Sequence, residues 1–317
     1  MSGVRPRRQT TEAGEKMTPT PITEGGSPHA KTRRSTPPRS RRRAQIGTML
    51  DVGTNTIHVR EDGPAHGTPL LLVHGFDASM HWFDKLTPLL TDRYRVIRVD
   101  LVGYGCTGGD RAPDGPAQGS VVAAVLDRLD VTDVTALGHS FGCDVVLSVA
   151  EQGPRVSRIV LVGQAPDYSY ANFPVGQALL TLPLVGDVMH RLAWPAATEY
   201  FGRIAFAPGF VIDAGLDANR MFNDHRAMAA AAAHTVLVER KKRLAHRPLD
   251  VQVRDIGLPT LAVHGRSDQM YDCATTLARY AAAGAEVEVI EGAGHSPNVE
   301  QPEQLARAIR AFVERNS

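Results

Sequence analysis

The stretch Val134-Thr135-Ala136-Leu137-Gly138-His139-Ser140-Phe141-Gly142-Cys143-Asp144-Val145-Val146 decides how this chain is read. Val134–Leu137 is a short apolar run of strand type, and an apolar helical pattern runs on to about Ala150. Between them, Gly138-His139-Ser140-Phe141-Gly142 fits G-x-S-x-G in the strand–turn–helix context that pattern requires. In isolation it would be no more than a glycine-rich turn. In this context it predicts a sharp, strained turn at Ser140, with glycines two positions away on either side relieving the crowding. The hydroxyl then stands exposed at a helix N-terminus, where the backbone N–H of Phe141 faces an oxyanion.

A serine hydroxyl is a poor nucleophile near neutral pH and needs a base. Of the twelve histidines, His295 lies in Gly292-Ala293-Gly294-His295-Ser296-Pro297, directly after the predicted strand Glu286–Ile290. That placement brings it to the carboxyl edge of a sheet, the edge that also carries Ser140. The base needs an acceptor to fix its tautomer. Asp268, in His264-Gly265-Arg266-Ser267-Asp268, follows the strand Thr260–Val263 to the same edge, with Asp272 and Asp167 as the alternative acids. His74-Gly75-Phe76, after the strand Pro69–Val73, offers the backbone N–H of Phe76 as a second oxyanion donor beside that of Phe141.

The rest of the chain supplies the frame. Ile46–Val52 and Thr56–Arg60 predict a hairpin, Arg95–Asp100 and Arg158–Val162 are further strands, Val121–Leu129 has helical periodicity, and Gln304–Arg315 closes the chain as an amphipathic helix. Strands alternating with helices predict an α/β fold with a mostly parallel, doubly wound sheet covered on both faces. The 97 residues between Val162 and Thr260 far exceed an ordinary crossover. They are rich in Leu, Phe, Met and Ala, which predicts a helical cap over about 168–249, inserted into a core of 44–167 and 250–317. Lys241-Lys242-Arg243 within it is expected to be a solvated helix face.

Taken in order, Leu71-Leu72-Val73-His74-Gly75-Phe76, Asp100-Leu101-Val102-Gly103-Tyr104-Gly105, Gly138-His139-Ser140-Phe141-Gly142, His264-Gly265-Arg266-Ser267-Asp268 and Gly294-His295 resemble the α/β-hydrolase superfamily. The resemblance spans roughly Ala44 to Arg315 and is nearest the capped serine esterase, haloperoxidase-like and C–C hydrolase branch. It implies the α/β-hydrolase fold and a Ser140–Asp268–His295 triad in the family's chain order. Epoxide hydrolases and haloalkane dehalogenases of the family carry Asp at the nucleophile position, so Ser140 disfavours both. Where relatives often have Ser after the Gly103-x-Gly105 stretch, this chain has Cys106-Thr107, and Cys106 is expected to pack without a chemical role.

Charge is unevenly spread. Residues 1–43 hold eleven Lys/Arg against three Glu, a net +8, which leaves 24 basic against 31 acidic residues in the remainder, a net −7. A uniformly basic nucleic-acid binder is thereby excluded. The Ser/Thr/Pro/Arg-rich first 43 residues are expected to form a disordered, solvated tail, because they carry too little apolar surface to offset the entropy of ordering. Cys106, Cys143 and Cys273 cannot form a fully paired disulfide framework and show no zinc spacing, so reduced thiols and no bound metal are expected. No apolar run reaches the roughly 18–20 residues a membrane span needs, and no signal-peptide core precedes the fold. A cytoplasmic protein without a membrane span is the default.

The chemistry these residues predict is two-step acyl transfer on a moderately apolar small-molecule ester, with no cofactor, the cap and Trp82 contributing to the substrate pocket. Other bonds on the same triad stay open: C–C hydrolysis, perhydrolase or haloperoxidase-like activity, and acyl transfer to another acceptor. So does a receptor that binds a ligand with little turnover.

Overall fold

The computed structural model describes residues 47–173, 179, 181–182, 184–212 and 218–317; the expected tail over 1–43 and Ile46 at the start of the predicted hairpin lie outside them. Strand β1 (Thr48–Val52) turns at Gly53 into β2 (Asn55–Asp62), pairing antiparallel with Thr48 opposite Val59. Then follow β3 (Thr68–Val73), β4 (Tyr94–Val99), α1 (Gly115–Leu129), β5 (Val134–His139), α2 (Phe141–Glu151) and β6 (Val156–Val162). Helix α1 begins six residues before the apolar periodicity, because the Asp114 carboxylate accepts from Ala117 N–H and caps it.

After β6 come α3 (Val185–Leu192), α4 (Pro195–Gly202) and α5 (Ala218–Ala227). A short turn Ala232–His234 and a π-helical turn Thr235–Glu239 then lead into α6 (Arg240–His246) and α7 (Leu249–Ile256). The chain ends with β7 (Thr260–Gly265), α8 (Cys273–Ala282), β8 (Glu286–Ile290), α9 (Pro297–Glu300) and α10 (Pro302–Arg315).

Among the described residues the strands form one sheet in the order β1-β2-β4-β3-β5-β6-β7-β8, parallel from β4 onward. From β3 the chain first steps outward to β4 and then crosses back to β5 on the other side. The carboxyl ends of β3 and β5 therefore diverge into a crevice, the position where ligands collect in open α/β sheets. Val73 and Gly138 are partners there, so the residues that follow each strand emerge side by side.

Side chains of β3 alternate between two cores. Leu71 and Val73 face one that α1, α2 and α8 cover; Leu70 and Leu72 face the other, with Phe83, Ile309 and Phe312. Burial on both faces explains why β3 reads as an unbroken apolar run. Helix α10 contributes Leu305, Ala306, Ile309, Phe312 and Val313, one stripe at helical spacing.

The helical segment between β6 and β7 is tied to the sheet domain by polar contacts. Asp144, fully buried on α2, accepts from Arg240 Nε at 3.0 Å and also pairs with Arg243. Lys241 and Lys242 are exposed as expected, whereas Arg243 is half-buried. The buried carboxylate draws Arg243 inward, so only part of that basic run is a solvated face.

Candidate active site

Ser140 stands between β5 and α2 with φ 54° and ψ −119°, a backbone conformation costly for a residue with a Cβ. The strain is held from several sides. Ser140 N–H donates to Val162 O at 2.9 Å, and Cys143 N–H donates back to Ser140 O at 2.9 Å. Gly142 packs directly on the Val73 carbonyl, and Gly138 on the Gly142 backbone, so a Cβ at either would collide with main chain. The result is a half-exposed hydroxyl at the N-terminus of α2.

Two loops from later in the chain reach it. His295 Nε2 is 2.9 Å from Ser140 Oγ, and His295 Nδ1 is 3.0 Å from Asp268 Oδ2. The other carboxylate oxygen of Asp268 accepts from Met270 N–H at 2.7 Å and Tyr271 N–H at 3.3 Å. A second imidazole, His264 Nε2, lies 2.8 Å from Asp268 Oδ2. Burial alone would push the Asp268 carboxyl up, but the charges and contacts of His295 and His264 hold it well below the usual carboxylate range. Asp268 is thus an anion facing His295 Nδ1, which places Nδ1–H toward the acid and leaves Nε2 to accept from the serine hydroxyl.

Opposite the imidazole lies the loop after β3. A Cβ at Gly75 would stand 2.9 Å from Ser140 Cβ, which measures how closely His74–Phe76 passes the serine. His74 anchors that loop: its Nδ1–H donates to Gly75 O at 2.8 Å and its Nε2 accepts from Leu101 N–H at 3.1 Å. Among the described residues neither Phe76 N–H nor Phe141 N–H has a hydrogen-bond partner within the chain.

With this geometry in place, comparison with known proteins gives a consistent answer. The family model described as alpha/beta hydrolase family matches residues 70–308. The chain belongs to the alpha/beta hydrolase family. It is 35% identical over 164 residues to the magnesium-chelatase 30 kDa subunit of Rhodobacter capsulatus, a match spanning 49% of this chain and only 56% of that relative. A 2-hydroxy-6-oxo-2,4-heptadienoate hydrolase of Pseudomonas putida is 27% identical over 85% of this chain and 97% of its own length. Among solved structures, the esterase of Exiguobacterium antarcticum aligns with a TM-score of 0.66 and 25% identity, covering 85% of this chain and all of the esterase.

The loops carrying Ser140, His295 and Asp268 thus meet at one sheet edge, and the alternative acids are engaged elsewhere. Asp272 caps α8 through Thr275 N–H, and Asp167 pairs with Arg279 at 2.7 Å. Trp82 is buried: its ring stacks on Phe206 and on His139, and its indole N–H donates to Asp224 at 3.3 Å. Its ring thus lies beside the residue that precedes Ser140. No helix among the described residues is long and apolar enough to cross a membrane.

Several residues around the serine escape a reading of the sequence. His139 Nε2–H donates to the His295 carbonyl at 3.0 Å, and burial with repulsion from His295 lowers its pKa to about 3, so it is a neutral brace. Glu300 accepts from Gly294 and Ser296 N–H with one oxygen and from Ala207 N–H with the other, joining the His295 loop to the helical segment. Asp224, buried on α5, receives Ser79 Oγ at 2.8 Å, and burial pushes its pKa up to about 7. The signal for Glu300 was its place five residues beyond His295; for His264 it was its place in the motif that supplies Asp268.

Among the described residues one trio has metal-ligand chemistry, His58, Asp100 and Cys106. Asp100 is already engaged: it holds His58 Nδ1, Met80 N–H and Cys106 N–H, each at 2.8 Å. The donor set fits a buried His–Asp ion pair that locks three chain segments together. Cys106 is a free thiol, as are the buried Cys143 and Cys273.

Proposed function

We propose that this alpha/beta hydrolase cleaves a carboxylic ester, or a similar acyl bond, of a moderately apolar small molecule. The observation that carries the proposal is the continuous Ser140–His295–Asp268 chain, with contacts of 2.9 and 3.0 Å, built on the positive-φ turn at Ser140. His295 takes the Ser140 proton as the hydroxyl attacks the carbonyl carbon, and the oxyanion is received by the N–H groups of Phe76 and Phe141. His295 then protonates the leaving alcohol. Water enters by the same route and releases the acid, regenerating the serine. Asp268 keeps the proton on Nδ1 throughout and stabilises the imidazolium.

The helical segment over about 168–249 acts in this reading as a cap, with its Phe206 and Met221 packed in one apolar cluster with Trp82. The apolar character of that cluster supports an acyl group of aliphatic or aromatic character. The test is hydrolysis of p-nitrophenyl esters of increasing acyl length by the wild-type chain and by Ser140→Ala. Turnover that disappears in the variant, with its circular dichroism unchanged, supports the serine hydrolase. Equal turnover in both refutes it.

A second reading, hydrolysis of a carbon–carbon bond beside a ketone, is supported by the likeness to the Pseudomonas putida dienoate hydrolase over nearly its whole length. Turnover of a 2-hydroxy-6-oxo-dienoate without turnover of any ester would favour it.

A further inference from the structure

One of the two proposed oxyanion donors, Phe76 N–H, lies on a stretch that the sheet does not hold. The loop after β3 is anchored at its two ends, at His74 by Leu101 N–H and at Met80, whose own N–H donates to Asp100 at 2.8 Å. Between these ends, among the described residues, the N–H groups of Phe76, Asp77 and Ala78 meet no acceptor within the chain. Asp77 also sits at φ 55°, the left-handed region, which a residue with a Cβ keeps only where its surroundings impose it.

The side chains of this stretch converge on α5. His225 Nδ1–H donates to the Asp77 carboxylate, 3.0 Å from one oxygen and 3.2 Å from the other. The residue before it, Asp224, accepts from Ser79 Oγ–H at 2.8 Å and from the Trp82 indole N–H at 3.3 Å. Two adjacent residues of one helix thus hold alternate residues of the loop. The helix is itself fixed to the sheet domain just past its end, where Ala229 N–H donates to Gly103 O at 2.7 Å. Burial lowers the His225 pKa, but the hydrogen bond and charge of Asp77 outweigh it and hold it above the usual histidine value. The His190 ring, 4.5 Å away on α3, is lowered by burial and by repulsion from His225, so the positive charge rests on the ring that faces Asp77.

We propose that His225 is a positioning residue for the oxyanion hole: it holds Asp77 and, through the Phe76–Asp77 backbone, sets where the Phe76 N–H points. His225 has this role only within the acyl-transfer reading of Ser140, to which it adds a component supplied by the helical segment between β6 and β7. Releasing Asp77 lets the left-handed turn relax toward the ordinary right-handed region, which rotates the peptide units on either side of it. A donor stabilises an oxyanion only while aimed at it, and a misplacement of about 1 Å can cost on the order of 10^2 in rate.

Labelling by a fluorophosphonate probe tests this without knowledge of the substrate. Ser140 Oγ bonds phosphorus as fluoride leaves, His295 takes the serine proton, and the phosphoryl oxygen occupies the place of the oxyanion. His225→Leu should lower the limiting labelling rate about 10- to 100-fold while the half-saturating probe concentration stays within about threefold, because the hole acts in the transition state rather than in ground-state binding. His225→Asn, whose Nδ2–H can stand where Nδ1–H does, should recover the rate to within about threefold of the wild type. A purely structural role would instead lower the thermal midpoint and reduce labelling only in proportion to the folded fraction. Should His225→Leu not fold, Asp77→Gly, which tolerates the left-handed backbone, cuts the same tie from the other side and should show the same loss. Wild-type labelling rates in a folded His225→Leu or Asp77→Gly, or no recovery in His225→Asn, would overturn the role of His225 alone. Absence of labelling in the wild type, or labelling that survives Ser140→Ala, would overturn the acyl-transfer reading and this role with it.

Discussion

Replacing Asp268 by Asn changes one atom and should nearly silence the proposed reaction. The side-chain oxygen that accepts from Met270 and Tyr271 N–H must stay an oxygen, so the new amide NH2 takes the position 3.0 Å from His295 Nδ1. There it donates, which forces His295 to carry its proton on Nε2, facing Ser140 Oγ. In that tautomer the imidazole cannot accept the serine proton. The carboxylate that balanced the imidazolium is lost as well. A charge pair at about 4 Å and an effective dielectric near 20 is worth roughly 4 kcal/mol, or about 10^3 in rate. With the wrong tautomer added, kcat on a chromogenic ester should fall by about 10^3–10^4. Stopped-flow measurement of the p-nitrophenol burst would resolve the acylation step, and circular dichroism would confirm the fold. A loss below about tenfold in a folded variant would refute Asp268 as the group that orients the base.

Three further outcomes are expected. Asp144→Asn leaves the fully buried Arg240 without its anion, which should cost about 3–5 kcal/mol in urea unfolding; a loss under 1 kcal/mol would show that Tyr168 and the aromatic rings suffice. For His58, burial lowers the pKa, but hydrogen bonds to Asp100 and Cys106 outweigh it and hold the value near 9. The pair's contribution is therefore full below pH 6.5 and lost as pH rises through 9, so His58→Gln should lower the melting point more at pH 6 than at pH 10, and an equal drop at both would contradict the ion pair. Asp224 carries the opposite sign, a carboxyl kept neutral by burial with its pKa near 7, so stability is lost as pH rises from about 4 to 7. Asp224→Asn should melt roughly 5 °C higher than the wild type at pH 8 and close to it at pH 4.5, and a gap that does not grow with pH would argue against the shift.

Much of the sheet was legible because β3, β5, β6 and β7 are buried on both faces and announce themselves as short apolar runs. The ends of the strands carried the site, since Gly138–Gly142 and the residues around His295 are turn chemistry that tolerates few alternatives. What sequence could not supply was pairing between distant charges. Arg243 reads as one cation in a basic run until Asp144, 99 residues earlier, is seen beneath it. Asp100 and His58 are likewise joined only through the crossing of β2 and β4. The direction of α3 was hidden for a related reason: periodicity reveals the stripe Val185, Val188, Met189 and Leu192, not that it faces solvent.

Strands β6 and β7 are immediate neighbours, with Ile159 paired to Thr260, although 97 residues separate Val162 from Thr260. The long excursion leaves and returns at adjacent points and, among the described residues, contributes no strand to the sheet. Loop-closure entropy grows only with the logarithm of length, so trimming such an excursion to a dozen residues changes it by only about 2 kcal/mol. The sheet edge carrying Ser140, Asp268 and His295 is thus laid down by the sheet, and the excursion is fastened to it at a few points, Asp144 with Arg240 and Glu300 with Ala207 among them. An exchanged segment would have to bring its own partner for the buried Asp144 carboxylate, so variation here is free in length but constrained at its anchor points.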